Sequence, residues 1–454
     1  MNPNIFRAYD IRGMAGKDMS ATDARLIGQG LGTYFIDHQC RRISVGRDCR
    51  LTSRQYTGQL ISGLRDAGCD VIDIGLCPTP VLYFSVPALH IDGGVMVTAS
   101  HNPPEYNGFK ICKGLDSVHG EELQAIRSII ERRAFTRGNG NLSSADVVTR
   151  YRNYLVEHTT LKGPLSVGVD AGNGAAGPLI APLLEQLGCR VMAIHCEMDG
   201  RFPNHPADPT VAENLSDLIQ LVRENDLDLG IGYDGDGDRI GVVDDTGTVV
   251  WGDQLLMLYA REILARAPGA AIVADVKCSQ NLFDDIETHG GRPVMYKSGH
   301  SSIKTKVRDE SAALGGELSG HIFFADRYFG YDDALYATCR LLEILSTTGK
   351  RLSELRTDLP GSFSTPEIRL ECPENQKFDI ARKIADRFRS THAVIDIDGV
   401  RVIFDHGWAL VRASNTQPAL VLRFEAKNPE NLVTIQNTVE SVVGEVRAHP
   451  AGRG

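Results

Sequence analysis

Long hydrophobic runs are missing from this chain, and so is any excess of positive charge. No apolar stretch approaches the ~18 residues of a membrane-spanning helix. The opening Met1-Asn2-Pro3-Asn4-Ile5-Phe6-Arg7 has no basic segment leading into an apolar one, so neither an anchor nor a leader is read here, and a cytoplasmic protein is expected. The formal net charge is −10, which gives no electrostatic case for nucleic acid or an anionic membrane as partner. An anionic ligand would need a local basic cluster working against the overall field. The ten cysteines include no CxxC pair. Most sit in or beside apolar segments (Cys69, Cys77, Cys112, Cys189, Cys278), which reads as reduced core cysteines rather than a disulfide or zinc framework. Gly-x-Ser-x-Gly is also absent, and no segment is of low complexity.

What is present is a repeated unit. The 454 residues, 42% hydrophobic and 23% charged, suffice for several folded cores. Three times a short strand ends in Gly-x-Asp or Ala-Asp: Ile43–Asp48, Leu165–Asp170 and Ala271–Asp275. A helix-like stretch follows, then a second strand after a glycine (Gly68–Ile72, Gly188–Met192, Gly291–Met295). A third strand then runs into a polar loop at Ser100, at Asp234–Asp238 and at Glu317–His321. This predicts three similar α/β units whose parallel-rich, mixed sheets collect ligands beyond the strand carboxyl ends. The tail differs. Lys377–Phe388 and Leu432–Val443 read as helices, and β-rich runs meet at Asp398-Gly399 and at Ser414–Pro418, predicting an α+β unit with a small antiparallel sheet. The expected domains are residues 1–147, 148–250, 251–365 and 366–454, around a central cleft.

Three stretches carry chemistry. In Val97-Thr98-Ala99-Ser100-His101-Asn102-Pro103, an apolar strand stops at one hydroxyl. A serine is a weak nucleophile, and a hydrolase arrangement with His101 is rejected because neighbours on an extended chain point apart. Phosphoryl transfer, which needs positioning and charge neutralisation, fits better. Asp234-Gly235-Asp236-Gly237-Asp238-Arg239 puts three carboxylates on one side of an extended stretch, with glycines that let the backbone curl. An EF-hand is excluded: its sixth position is Arg239 instead of glycine, and its twelfth is Asp245 instead of glutamate. A divalent site with open positions, suited to Mg²⁺ shared with a phosphate, is expected. Gly172-Asn173-Gly174-Ala175-Ala176-Gly177 imitates a dinucleotide fingerprint. Pro178 follows at once, however, and the turn ends the first strand of the unit whose third strand carries the aspartates, so it reads as a packing loop. At the start, Phe6–Gly13 offers Arg7 and Arg12 with Tyr9 between them, either an anion contact or ordinary edge-strand charge.

Thr98–Pro103, Asp234–Arg239, Gly316-Glu317-Leu318-Ser319-Gly320-His321 and Arg412-Ala413-Ser414-Asn415-Thr416-Gln417-Pro418 resemble, in order, the four active-site loops of the α-D-phosphohexomutase superfamily. The likeness spans the chain and is greatest to the bacterial phosphomannomutase/phosphoglucomutase branch. It implies that Ser100 is phosphorylated, and that Asp234, Asp236 and Asp238 hold Mg²⁺ together with a phosphoserine oxygen. Glu317 and Ser319 would read sugar hydroxyls. Arg412, Ser414, Asn415 and Thr416 would hold the phosphate not being transferred. Arg12, Lys110, Arg239, Lys277, His300 and His321 would be the cationic or acid–base groups of the cleft, with His321, Lys110 and Arg12 competing to move the proton. Tyr9 and Arg423 complete the expected substrate-binding set.

The implied reaction converts hexose 1-phosphate to hexose 6-phosphate through a hexose 1,6-bisphosphate, which also serves as activator, in a monomer or weak homo-oligomer. Glucosamine phosphate as substrate, a metal-dependent phosphatase and a non-catalytic sugar-phosphate sensor are the alternatives. Leu318, where relatives specific for glucosamine phosphate usually carry glutamine, and Tyr106–Lys110 favour mannose and glucose.

Overall fold

Each apolar segment bounded by those glycines and aspartates forms a strand in the computed structural model, which describes residues 1–414 and 418–448. Strand Arg42–Arg47 lies between Asp70–Leu76 and Gly93–Val97, all parallel. Ser166–Asp170 lies likewise between Arg190–Ile194 and Leu229–Tyr233, and Ala271–Asp275 between Arg292–Tyr296 and Leu314–Gly316. In every unit the third strand then pairs antiparallel with a fourth: Tyr106–Lys113, Ile240–Asp244 and Ile322–Phe324. The order second, first, third, fourth is thus kept in three sheets. This fourth strand makes each sheet mixed, and the sequence pattern did not place it.

The antiparallel return matters for function. A parallel strand handed directly to an antiparallel neighbour needs a tight loop at its carboxyl end. Ser100, Asp234–Asp238 and Glu317–His321 are those three loops.

The last sheet is antiparallel, Phe363–Ser364, Ala419–Ala426, Gly407–Ala413, Val400–Phe404 and Ala393–Ile395 in spatial order, with Ile368–Glu371 also paired to Ala419–Ala426; its first strand precedes residue 366. Alternation divides its faces. Val400, Val402, Ala409, Val411, Leu420 and Leu422 pack against helices Lys377–Arg389 and Pro429–Ala448. Trp408 and Leu410 turn the other way onto Val276 of the third unit. Arg401 shares that second face. It stacks on Trp408 at 3.7 Å and donates to the carbonyls of Val276 and Cys278 at 2.7 and 2.9 Å, so a buried cation joins the third and fourth units.

One buried apolar cluster runs from Ile72 in the first unit to Leu359 at the end of the third. A second fills the far side of the first sheet beneath helix Ala21–Asp37. All ten cysteines are free thiols. Among the described residues no helix is long and apolar enough to cross a membrane. The glycine loop at 172–177 is a packing loop: a Cβ on Gly177 would lie 2.1 Å from the Cys196 carbonyl oxygen, and Ala175 N–H donates to the Gly235 carbonyl at 3.0 Å. It braces the aspartate loop.

Candidate active site

The serine loop is shaped by backbone before side chains. Ser100 sits in the left-handed region, φ 53°, a conformation that costs a non-glycine residue and persists only when its surroundings hold it. Thr98 Oγ1 accepts the Ser100 amide at 2.9 Å. The buried Arg50 guanidinium donates to the carbonyls of Ser100 (2.8 Å), Pro103 (2.6 Å), Tyr106 (3.0 Å) and Asn102. Asp48, also buried, anchors Arg50 at 3.1 Å. Nothing in the sequence pattern marked Arg50, although Asp48 and Arg50 share one face at i, i+2.

Left-handed Ser100 also corrects one expectation. The chain is not extended there, so Ser100 Oγ and His101 Nδ1 lie 3.2 Å apart rather than pointing away from each other. Burial, followed by the positive charge of Arg239 and Arg12, holds the His101 pKa well below the ordinary histidine value, so this imidazole is neutral.

Ser100 Oγ donates to Asp234 Oδ2 at 2.6 Å. Asp234, Asp236 and Asp238 are fully buried and each offers an oxygen within 4.8 Å of the others. Glycines make this possible: Gly237 has φ 73°, and a Cβ on Gly235 would lie 2.5 Å from the Ser100 carbonyl oxygen. Burial, then its two neighbours, pushes Asp234 well above the usual carboxylate range. Burial and Asp236 raise Asp238. Asp236 is driven the other way: burial works against it, but Lys110 beside it and the Thr79 hydroxyl at 2.6 Å hold it low. Lys110 Nζ lies 2.7 Å from Asp236 Oδ2 and also pairs with Asp238. Despite burial, the three carboxylates raise its pKa. Asp236 Oδ1 and Asp238 Oδ1 are buried with no hydrogen-bond partner among the described residues. A single lysine does not balance this set. Converging hard oxygens, two of them orphaned, fit a divalent cation.

Above this base lies a cleft lined from all four units, including Arg7, Tyr9, Arg12, Arg239, Lys277, His300, Glu317, Ser319, His321, Arg369, Arg412 and Ser414. Its six arginines and lysines exceed its four acids, Asp10, Asp208, Glu317 and Glu367, which gives an acidic protein a local basic cluster. Arg12 pairs with Asp10 and Asn102. Tyr9 donates to the Ser298 carbonyl at 2.7 Å, joining the first and third units. Lys277 lies 3.2 Å from Glu367 and keeps a raised pKa against burial because Glu367 and Asp275 face it. Lys277 in turn lowers Glu367 to about 2. Glu317 accepts the Gly299 amide at 2.6 Å, and burial raises its pKa. Arg412 donates from Nε to Asp398 at 2.9 Å.

His321 has both ring nitrogens engaged. Nε2 accepts from Arg239 Nε at 3.0 Å, and Nδ1 lies 3.0 Å from Asp332 Oδ2. Asp332 was not singled out from sequence. It also faces Lys304 at 3.5 Å and His300 at 3.8 Å, and Lys304, followed by His321, outweighs burial and holds its carboxyl well below the usual range. The double acid Asp332-Asp333 after Gly330-Tyr331 was a readable signal, since Asp333 caps helix Ala334–Thr348 and leaves Asp332 for other work.

Three residues of the expected set stand apart from the rest. Arg423 does not line the cleft: it is turned toward Asp253, 3.6 Å away. Asn415 and Thr416 lie outside the described residues, so of the expected phosphate loop only Arg412 and Ser414 are placed.

Four family models, described as phosphoglucomutase/phosphomannomutase domains, match the chain in sequence. Alpha/beta/alpha domain I matches residues 3–137, domain II 148–247, domain III 251–363, and the C-terminal domain 367–441. A phosphomannomutase/phosphoglucomutase of Pseudomonas aeruginosa is 46% identical over 434 residues, 95% of this chain and 94% of that protein. A phosphoglucomutase of Neisseria gonorrhoeae is 42% identical over 445 residues, 97% of this chain and 96% of that one. Among solved structures, a phosphoglucomutase/phosphomannomutase family protein from Burkholderia thailandensis superposes with a TM-score of 0.93 at 41% identity, covering 100% of this chain and 99% of that one.

Proposed function

The chain belongs to the phosphoglucomutase/phosphomannomutase family, and on that footing we propose that it interconverts hexose 1-phosphates and hexose 6-phosphates, mannose and glucose being the sugars, through phosphorylated Ser100. The observation that carries this reading is the 2.6 Å hydrogen bond from Ser100 Oγ to a three-aspartate cluster, at the base of a cleft built from all four units.

Ser100 and the three aspartates would hold Mg²⁺, which supplies charge neutralisation for phosphoryl transfer. The transfers balance as follows. The Ser100 Oγ–P bond breaks and a bond from phosphorus to O6 of a hexose 1-phosphate forms, while O6 gives up a proton and Ser100 Oγ takes one up. The bisphosphate turns end for end. Ser100 Oγ then takes the phosphoryl group from O1 and loses its proton, while O1 gains one and hexose 6-phosphate is left. With the aspartates holding a cation, His101 Nδ1, 3.2 Å from the serine hydroxyl, would be a neutral nitrogen within reach of its proton, although burial leaves it a weak base.

Both ends of the intermediate are phosphates, so one clamp built on Arg412 and Ser414, with Asn415 and Thr416, serves either. Asp398 orients the Arg412 fork through Nε. Glu317 and Ser319 both line the cleft and would read O3 and O4, which roughly exchange places when the sugar turns. Such a reader ignores C2, where mannose and glucose differ. Arg12, Lys277, Arg239, Tyr9 and His300 supply the remaining polar wall. Hexose 1,6-bisphosphate would serve as activator by rephosphorylating Ser100. The same reading takes the domains as residues 1–147, 148–250, 251–365 and 366–454, in a cytoplasmic monomer or weak homo-oligomer.

A side-by-side assay on mannose, glucose and glucosamine 1-phosphates with Mg²⁺ tests the proposal. Isomerisation of the first two, stimulated by a trace of bisphosphate, is expected. Preference for glucosamine 1-phosphate would overturn the sugar assignment, and release of free phosphate without isomerisation would overturn the mutase.

A further inference from the structure

Outside the cleft, the second unit gathers a different set of ligating groups. Asp170 ends strand Ser166–Asp170 and is 2% exposed. His195 follows strand Arg190–Ile194 directly, in the left-handed region at φ 49°. His205 comes from the long loop that leads to helix Ser216–Glu224. Asp170, His195 and His205 each offer one ligand atom, all within 4.8 Å of one another, and the two imidazole centroids are 5.4 Å apart.

Both rings are held by hydrogen bonds to carboxylates or carbonyls. His205 Nδ1 lies 2.9 Å from the Pro206 carbonyl, which can only accept, so Nδ1 carries the proton. Nε2 then faces Asp170 Oδ2 at 3.0 Å. Two acceptors that close require a cation between them: a second proton on the ring, or a metal. His195 Nε2 lies 2.9 Å from Asp217 Oδ2 in the first turn of helix Ser216–Glu224. That bond leaves the other ring nitrogen to ligate, with the carboxylate behind it. Backbone carbonyl or carboxylate behind a ligating imidazole is the usual outer shell of such sites, fixing tautomer and ring orientation.

We propose that Asp170, His195 and His205, with Asp217 behind or beside them, form a second divalent-cation site of the zinc class, separate from the aspartate loop. Two imidazoles and one carboxylate suit Zn²⁺ and its neighbours; Mg²⁺ prefers all-oxygen surroundings. Tetrahedral ligation at about 2.0–2.1 Å sets ligand atoms about 3.4 Å apart, so Asp170 and His205, 3.0 Å apart without metal, would part slightly, an adjustment the loop-borne His205 can make. Binding replaces the proton on His205 Nε2 by the metal and releases it to solvent.

The location gives the site a role. It pins the loop carrying His205 to the carboxyl end of the sheet. That loop also reaches the first unit, where the Phe202 ring lies 5.0 Å from the Arg50 guanidinium and a Cβ on Gly200 would meet the Cys49 carbonyl oxygen at 2.4 Å. The metal would therefore stiffen the contact between the serine-bearing and aspartate-bearing units. Nothing in this depends on the proposed reaction.

The test uses full-length, chelator-treated protein with Mg²⁺ in excess to occupy the aspartate loop, titrated with Co²⁺ and, separately, with Zn²⁺. Expected are the visible bands of a low-symmetry cobalt site, a rise in melting temperature with Zn²⁺, and retention of both in Asp236→Asn. His195→Gln and His205→Gln should weaken Co²⁺ binding by about 10- to 100-fold or more. His195→Gln alters a partly exposed position, and circular dichroism checks that it folds. Absence of a cobalt spectrum in the presence of Mg²⁺ would overturn the proposal. So would a spectrum unchanged in both glutamine variants, or one lost in Asp236→Asn and retained in them.

Discussion

At the scale of single residues, the site separates groups that do chemistry from groups that hold them. Asp236→Asn removes one of three buried carboxylates facing Ser100 and leaves Lys110 without its 2.7 Å partner. Its kcat should fall about a hundred- to a thousandfold, as for loss of a group acting on developing charge, measured at saturating substrate and Mg²⁺. Arg412 should behave differently. A phosphate contact made equally in ground and transition states supports binding alone, so Arg412→Ala should raise KM about 10- to 100-fold, the worth of a charged hydrogen bond, with kcat little changed. A matching loss in kcat would place Arg412 in the chemistry.

Arg50 is a positioning residue. Lysine at that position keeps the charge but not the fork that spans four loop carbonyls. Arg50→Lys should lower kcat at least tenfold with KM for hexose 1-phosphate nearly unchanged, whereas a purely structural role would show only in the unfolding curve.

At the scale of elements, the fold was legible where chemistry and period coincide. Asp170, Asp275, Ser100 and the Asp234 loop each punctuate an apolar strand, so the three-fold repeat and three of its loops could be read directly. The fourth, antiparallel strands were not, because Ile240–Asp244 and Ile322–Phe324 are buried on both faces and show no alternation. Left-handed Ser100 was illegible for another reason. Its local support is the Thr98 hydroxyl, and the wider hold on the loop comes from Arg50, fifty residues earlier. The Asp332 hub depends in the same way on Lys304 and His300 arriving from a different helix. Arg423 points away from the cleft because strand residues pair with whatever the neighbouring unit presents, here Asp253.

Helix Ala334–Thr348 offers a test at this scale. Its N-cap Asp333 accepts from the Tyr151 and Tyr328 hydroxyls at 2.8 and 2.7 Å, and burial raises its carboxyl to about 6. A carboxyl raised above its unfolded value makes the native state bind the extra proton, so this group's contribution to stability is fully present below pH about 4 and is lost as pH rises through 6. Asp333→Asn removes that loss. Relative to the parent, the variant should gain about 2–3 kcal/mol between pH 4 and 7 in urea unfolding; a constant difference across that range would contradict the assignment.

At the scale of the whole molecule, four units converge on one cleft because three of them present the same loop and the fourth is fastened to the third through Arg401, Trp408 and Val276. A net charge of −10 is reconciled with anionic ligands by concentrating arginines and lysines at that convergence. The Lys277–Glu367 ion pair and the Ser298 amide, which donates to Asp398 at 3.1 Å, tie the last unit to the third. The central claim is that Ser100 carries the phosphoryl group, and intact-protein mass spectrometry tests it most directly. After incubation with Mg²⁺ and hexose 1,6-bisphosphate, the protein should gain one phosphate, about 80 Da, mapping to Ser100 and absent from Ser100→Ala. A chain that stays unmodified while isomerising hexose phosphates, or a Ser100→Ala variant that still gains the phosphate, would contradict it.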